Sequence, residues 1–284
     1  MNLARLDYQK GTGMNGKRIF LTLAGLVVLG LAGCQTVETT APGAVGVDRK
    51  QRMLVSEQQV EQGAAEAYAQ EKQKAQAEGK LNANSALTSR VRNISQKLIP
   101  GTGVFRSDAP NWKWEVNTLN TKELNAYCMP GGKIMVYSGL VEQLNLSDAE
   151  LAAVIGHEMA HALREHSRER ISRAYAQQIA LAGVAVVTGA TEGAVDLANS
   201  VASVTFQLPH SREQESEADI IGLELMARAG YDPNAAVSVW KKMMSANQGG
   251  PPQFLSTHPS AQTRIQDLQK EIPKVEPLYQ KARS

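Results

Sequence analysis

Two histidines, His157 and His161, stand four residues apart with Glu158 beside the first. This spacing constrains the chain more than any other feature. On a helix, residues i and i+4 share a face, so both imidazoles reach one point. The preceding residues Glu150, Leu151, Ala152, Ala153, Val154 and Ile155 predict such a helix, with Ser147 or Asp148 placed to cap it. Two converging imidazoles are a metal-ligand arrangement. Glu158, turned slightly around the helix, falls beside a water on that metal rather than on the metal itself.

The run His157-Glu158-Met159-Ala160-His161 is the HExxH signature of zinc metallopeptidases. That signature predicts a third protein ligand and a fourth position left for water or substrate. Glu215 follows His161 by 54 residues and opens an apolar helical pattern through Ile220, Ile221, Leu223, Leu225 and Met226. Asp219 lies four residues on and shares its face. Glu215 is the expected third ligand, and Asp219 the carboxylate that accepts a hydrogen bond from a ligand histidine. Glu217 is expected to point elsewhere, and Glu213 to lie half a turn away. The bland alternative is a solvated acidic helix start favoured by the helix dipole.

With the run Glu215-Ser216-Glu217-Ala218-Asp219-Ile220-Ile221-Gly222 added, the chain resembles the HtpX and prenyl-protease class of gluzincins. Two further stretches resemble its bacterial Oma-like branch. One runs from Asn125 through Met129-Pro130-Gly131-Gly132 to Leu140; the other is Ser256-Thr257-His258-Pro259-Ser260 followed by Arg264. The resemblance covers residues 51–272 and implies an α+β, mostly helical, compact metallopeptidase domain with a small sheet beside the catalytic helix. It implies one Zn2+ per chain, held by His157, His161 and Glu215, with Glu158 as the base. It also places His258 beside the metal, either stabilising the tetrahedral oxyanion or filling the fourth position and keeping the enzyme latent. Arg264 is expected to pair with an active-site carboxylate or an oxyanion. In gluzincins an edge strand above the metal pairs with extended substrate. Asn125, Ala126, Tyr127 and Cys128 are the substrate-binding residues this implies, the alternative being an ordinary hairpin over the core.

The amino terminus suggests export. Lys17 and Arg18 precede an apolar run from Ile19 to Leu31 that ends in Leu31-Ala32-Gly33-Cys34. A basic start, a short apolar stretch and small residues before a cysteine read as a signal peptide, the run being too short for a comfortable span. The end resembles a bacterial lipobox, which implies lipidation of Cys34, with Gln35 after it favouring the outer membrane. The expected organisation is a signal peptide over residues 1–33, an acylated Cys34 with a flexible tether to residue 50, and a metallopeptidase domain over residues 51–284. The expected location is the outer membrane, lipid-anchored and facing the periplasm. Unfolded or misfolded envelope proteins are the expected substrates and the envelope assembly machinery a candidate partner. The alternative function is an assembly factor or chaperone whose peptidase activity is latent or minor.

Charge excludes nucleic acid as a partner. Residues 1–33 hold four of the 30 Lys and Arg and one of the 28 Asp and Glu, which leaves 26 basic and 27 acidic residues and no basic field. Cys128 has no partner once Cys34 is acylated, so disulfides do not hold the fold, and Cys128 reads as a small hydrophobe in a strand.

Periodicity predicts helices over residues 53–78 and 86–98, then strands over 112–116, 125–128 and 133–137, with a turn at Met129-Pro130-Gly131-Gly132. Between the expected ligands, residues 167–175 read as charged helix, 179–187 as apolar helix, 188–193 as a break and 194–206 as a resumed helix. Each apolar arm falls short of the roughly 17–25 residues a span requires, and small residues such as Ala180, Gly183 and Ala185 suit helix packing, so core or lid is expected. His166 is expected at the surface, and His210 in a loop or cap.

Overall fold

The computed structural model describes residues 35–188, 197–246, 253–259 and 261–284. The signal-like segment, Cys34, the break at residues 189–193 and Ser260 lie outside the described residues. The chain divides into Met1–Gln35 and Thr36–Ser284, and apart from Gln35 the second unit carries everything below.

Local signals set the helix starts. Helix α1 (Glu57–Ala77) begins at a capping box in which the Ser56 side chain accepts from the Gln59 amide. Helix α2 (Ser85–Leu98) is capped by Asn84. After the short α3 (Ser138–Gln143), helix α4 (Asp148–Leu163) opens on a Ser147–Glu150 capping box. Then come α5 (His166–Thr188), α6 (Leu197–Phe206) and α7 (Arg212–Arg228), the last capped by Ser211 with Gln214. Helices α8 (Asn234–Ser245), α9 (Gln253–Thr257) and α10 (Ala261–Arg283) complete the set.

Strands β1 (Gln35–Val37) and β2 (Gln51–Met53) form a two-stranded sheet. Strands β3 (Glu115–Leu119), β4 (Ala126–Met129) and β5 (Lys133–Tyr137) form a three-stranded sheet in the order β3-β5-β4. Strand β3 runs parallel to β5 with Glu115 opposite Lys133, and β4 runs antiparallel to it with Ala126 opposite Val136. The edge strand β4 lies against α4. The fold is mostly helical α+β, as the sequence and its family resemblance led one to expect.

Helix α4 is the centre of the core. Leu151, Ile155 and Met159 are fully buried, each burial contributing about 1.5–3 kcal/mol. It crosses α7 at a pair of glycines. A Cβ on Gly222 would sit 2.7 Å from the His157 amide nitrogen and 2.9 Å from the Gly156 carbonyl carbon. Only glycine allows that approach, and the approach sets the carboxylates of α7 opposite the histidines of α4.

Two expectations are corrected. The alternation Trp112-Lys113-Trp114 reads as strand, yet β3 starts only at Glu115. The two indoles instead tie down a turn, Trp114 donating to the Ala109 carbonyl (2.8 Å) and Trp112 to Asp108 (2.9 Å). Residues 36–50 are not a loose tether. Val45 and Val47 join the main core, and the Ala44 and Val45 amides donate to the buried Glu224 carboxylate at 2.8 and 3.1 Å. Arg49 forks onto Glu169 and Glu217 at 2.6–3.1 Å. A Thr, Gly, Ala and Pro composition resembles a linker, but it also suits a segment bound through its backbone. No helix among the described residues is long and apolar enough to cross a membrane.

Candidate metal centre

Four side chains converge between α4, α7 and the turn after α9. His157 Nε2 lies 3.1 Å from His161 Nε2 and 3.2 Å from His258 Nδ1. Glu215 Oε1 lies 2.9 Å from His258 Nδ1 and 3.4 Å from His161 Nε2, and its Oε2 lies 3.6 Å from His157 Nε2. One atom from each of the four falls within 4.8 Å of the others. Zinc with ligands at about 2.0–2.2 Å spaces neighbouring tetrahedral donors roughly 3.3–3.6 Å apart, close to the distances among His157, His161 and Glu215, whereas the 2.9 Å Glu215–His258 contact is a hydrogen bond.

The donor chemistry fits a cation as well as the distances do. His157 Nδ1 faces Asp219 Oδ1 at 3.1 Å, so its proton is spent there. His161 Nδ1 faces His166 Nδ1 at 2.7 Å. With both Nδ1 atoms engaged, two Nε2 lone pairs face each other at 3.1 Å, an arrangement that a cation held between them would relieve. Glu215 Oε2, also buried, faces the Arg264 guanidinium as an ion pair. Burial holds the His157 pKa low and that of His161 far lower, which keeps both imidazoles neutral, as ligation requires.

Glu158 stands beside this group, 4% exposed. Burial raises its pKa to about 7, while the His258 charge and a hydrogen bond from the Cys128 backbone pull the other way. Its Oε1 has no hydrogen-bond partner and lies 3.4 Å from His258 Nε2. A carboxylate poised near neutrality with a free oxygen is suited to general-base work.

Arg264, from α10, ties the site together. It donates to Asp219 through Nε and an Nη, both at 2.6 Å, pairs with Glu215, and stacks over Trp240 at 3.7 Å from the ring centroid. Burial disfavours ionised Glu215, but His258 and Arg264 outweigh it and hold its carboxyl well below the usual range. Burial likewise disfavours charged His258, and Glu215 with Glu158 reverses that, raising its pKa.

The structure thus brings His157, Glu158, His161, Glu215, Asp219, His258 and Arg264 into one buried cluster. The expected substrate platform is placed differently. Strand β4 is an edge strand, but Asn125, Ala126, Tyr127 and Cys128 are all at most 6% exposed. The Tyr127 ring packs away from the donors, against Tyr68, Tyr137 and Phe206. Of the four, Cys128 touches the site, through its backbone. Its thiol is free and buried, as expected.

His166 corrects the surface expectation: it is fully buried. Extrapolating α4 by five residues turns it away, but α4 ends at Leu163 and Glu165 adopts φ +50°, so the chain folds back and delivers His166 to His161. Glu217 does point away from the donors, but into a buried network with His166 (2.9 Å), Arg164 and Arg49. The His210 ring lies against His161 with centroids 4.0 Å apart and planes tilted by 32°. No spacing rule ties either histidine to HExxH, and nothing in the sequence pairs His166 with Glu217.

Comparison with known proteins agrees with this geometry. Residues 85–272 match Peptidase family M48. The chain is 33% identical over 208 residues to the mitochondrial metalloendopeptidase OMA1 of Saccharomyces cerevisiae, covering 69% of this chain and 59% of that protein. It is 41% identical over 155 residues to the OMA1 of Arabidopsis thaliana, covering 53% of this chain and 30% of that one. Metalloprotease YcaL of Escherichia coli is 28% identical over 153 residues, 54% of this chain and 59% of its own length. The chain therefore spans between about a third and three-fifths of these relatives. The matched residues contain every donor of the cluster, and on that match this chain belongs to peptidase family M48.

Proposed function

We propose that this chain is a zinc endopeptidase in which His157, His161 and Glu215 hold one metal ion. The observation that carries the reading is the four-donor cluster at 2.9–3.6 Å with a free Glu158 oxygen beside it. A zinc ion bound there supplies the Lewis acidity that polarises the scissile carbonyl and acidifies water. Glu158 takes the proton of the attacking water and delivers it to the leaving amine. Asp219, itself clamped by Arg264, keeps the proton of His157 on Nδ1. No covalent acyl-enzyme forms.

His258 occupies the remaining corner of the cluster through Nδ1 and, at 3% exposure, closes it. This favours the latent arrangement over oxyanion assistance in the form described. Access for an extended substrate to β4 then requires movement of the α9 turn, where the Phe254 amide donates to the Leu124 carbonyl at 3.1 Å just before that strand.

The envelope setting belongs to the same proposal and rests on residues 17–34. The enzyme is anchored through an acylated Cys34 in the outer membrane, faces the periplasm, and cleaves misfolded or stalled envelope proteins. The closed site also favours a second reading, an assembly factor whose hydrolysis is latent. The test is zinc content and casein cleavage of the full chain, wild type beside Glu158→Gln. One zinc in both with cleavage by wild type alone supports the enzyme; a folded protein without zinc refutes it. Rescue of a deletion strain by Glu158→Gln would favour the assembly reading.

A further inference from the structure

His166 and Glu217 have no task in the chemistry above, although both are buried directly behind the metal donors. His166 Nε2 lies 2.9 Å from Glu217 Oε2, and His166 Nδ1 lies 2.7 Å from His161 Nδ1. An ionised carboxylate only accepts, so His166 carries its proton on Nε2 and donates it to Glu217. His166 Nδ1 is then an acceptor, and His161 must donate to it through Nδ1–H. The lone pair of His161 is left on Nε2, the atom that faces His157 Nε2 at 3.1 Å and Glu215 Oε1 at 3.4 Å.

Glu217 is well placed to hold this polarity. It also accepts from Arg49 Nε at 2.6 Å and from Arg164 Nε at 3.1 Å, and Arg164 is fully buried. His161, His166 and His210 could be taken for a second metal site. However, 2.7 Å is an N–H···N hydrogen-bond length, well short of the roughly 3.3 Å between two donors on one zinc. The His210 ring nitrogens already face the Arg170 guanidinium, at 3.1 and 3.3 Å.

We propose that Glu217 and His166 form a two-link hydrogen-bond relay that sets the tautomer and ring orientation of His161 and strengthens its hold on the metal. Both are positioning residues, acting through His161. His157 has the shorter version of the same device, a direct bond to Asp219. The proposal rests on reading His161 as a metal ligand, and its test separates the two.

Zinc affinity of the full chain is measured by competition with a chromophoric chelator for wild type, His166→Phe and His166→Gln. Glutamine keeps an acceptor and an N–H donor on one side chain; phenylalanine keeps the ring and loses both. The expected result is zinc binding weakened about 10- to 100-fold in His166→Phe and largely restored in His166→Gln. Wild-type affinity in His166→Phe, or equal weakening in both variants, would overturn the relay. A wild type that binds no zinc would instead overturn the metal reading beneath it. A second measurement needs no variant: proton–nitrogen correlation of the imidazoles in the metal-free wild type. His161 protonated on Nδ1 with His166 protonated on Nε2 supports the relay, and the opposite pair of tautomers refutes it.

Discussion

Replacing Arg49 by alanine tests whether residues 36–50 are part of the domain. The Arg49 side chain, 27% exposed, forks onto two carboxylates that are 5% and 9% exposed. Breaking a buried pair costs about 3–5 kcal/mol. Here Glu169 keeps Gln51 and Gln214, both at 3.0 Å, and Glu217 keeps Arg164 and His166, so the low end applies, about 3 kcal/mol at pH 7. Burial disfavours ionised Glu169, yet Arg49, Gln51 and Gln214 hold its pKa down at about 2, below the ordinary 4.5. A depressed carboxylate contributes stability that is full above the unfolded pKa and lost as pH falls toward the folded one. The Arg49→Ala deficit should therefore be largest at pH 7 and shrink between pH 4.5 and pH 2. Urea unfolding followed by the fluorescence of the three tryptophans, at pH 7 and pH 3.5, measures both quantities. A deficit below about 1 kcal/mol at pH 7, the worth of an exposed pair, would mean that the segment is not docked.

Three other outcomes follow from the geometry. Gly222→Ala should gain about 1 kcal/mol in helix propensity and lose more to the backbone clash with α4, for a net loss on the order of 1–3 kcal/mol and weaker zinc retention; an unchanged melting temperature and metal content would remove the helix crossing from the argument. His258→Ala should open the fourth corner and raise casein cleavage, with zinc still bound; unchanged turnover would mean His258 does not restrain the site. Stripping the metal with a chelator should lower the melting temperature and abolish cleavage, both recovering with zinc, since a ligand at 100 times its Kd stabilises by about 2.7 kcal/mol. Melting curves with and without chelator that superimpose would argue against zinc binding.

The parts of the site that obey helical spacing are legible in the sequence. His157 and His161, and separately Glu215 and Asp219, are i, i+4 pairs, and a helix places such pairs on one face regardless of the rest of the fold. A cap at Ser147 or Asp148 was readable because capping is settled within four residues. The family resemblance added His258 and Arg264, which no local rule connects to the metal.

What stayed hidden depends on contacts between distant segments. His166 lies five residues from His161, and its position follows from one residue, Glu165, at positive φ. The linker-like composition of residues 36–50 conceals that Glu224, about 180 residues away, accepts their amides. Burial of β4 and closure by His258 likewise require the whole fold. Sequence by itself determined which chemistry the chain carries, because ligand spacing on a helix is local. Tertiary structure alone decided what surrounds and restrains that chemistry, because partners for buried charge are chosen across the chain and not along it.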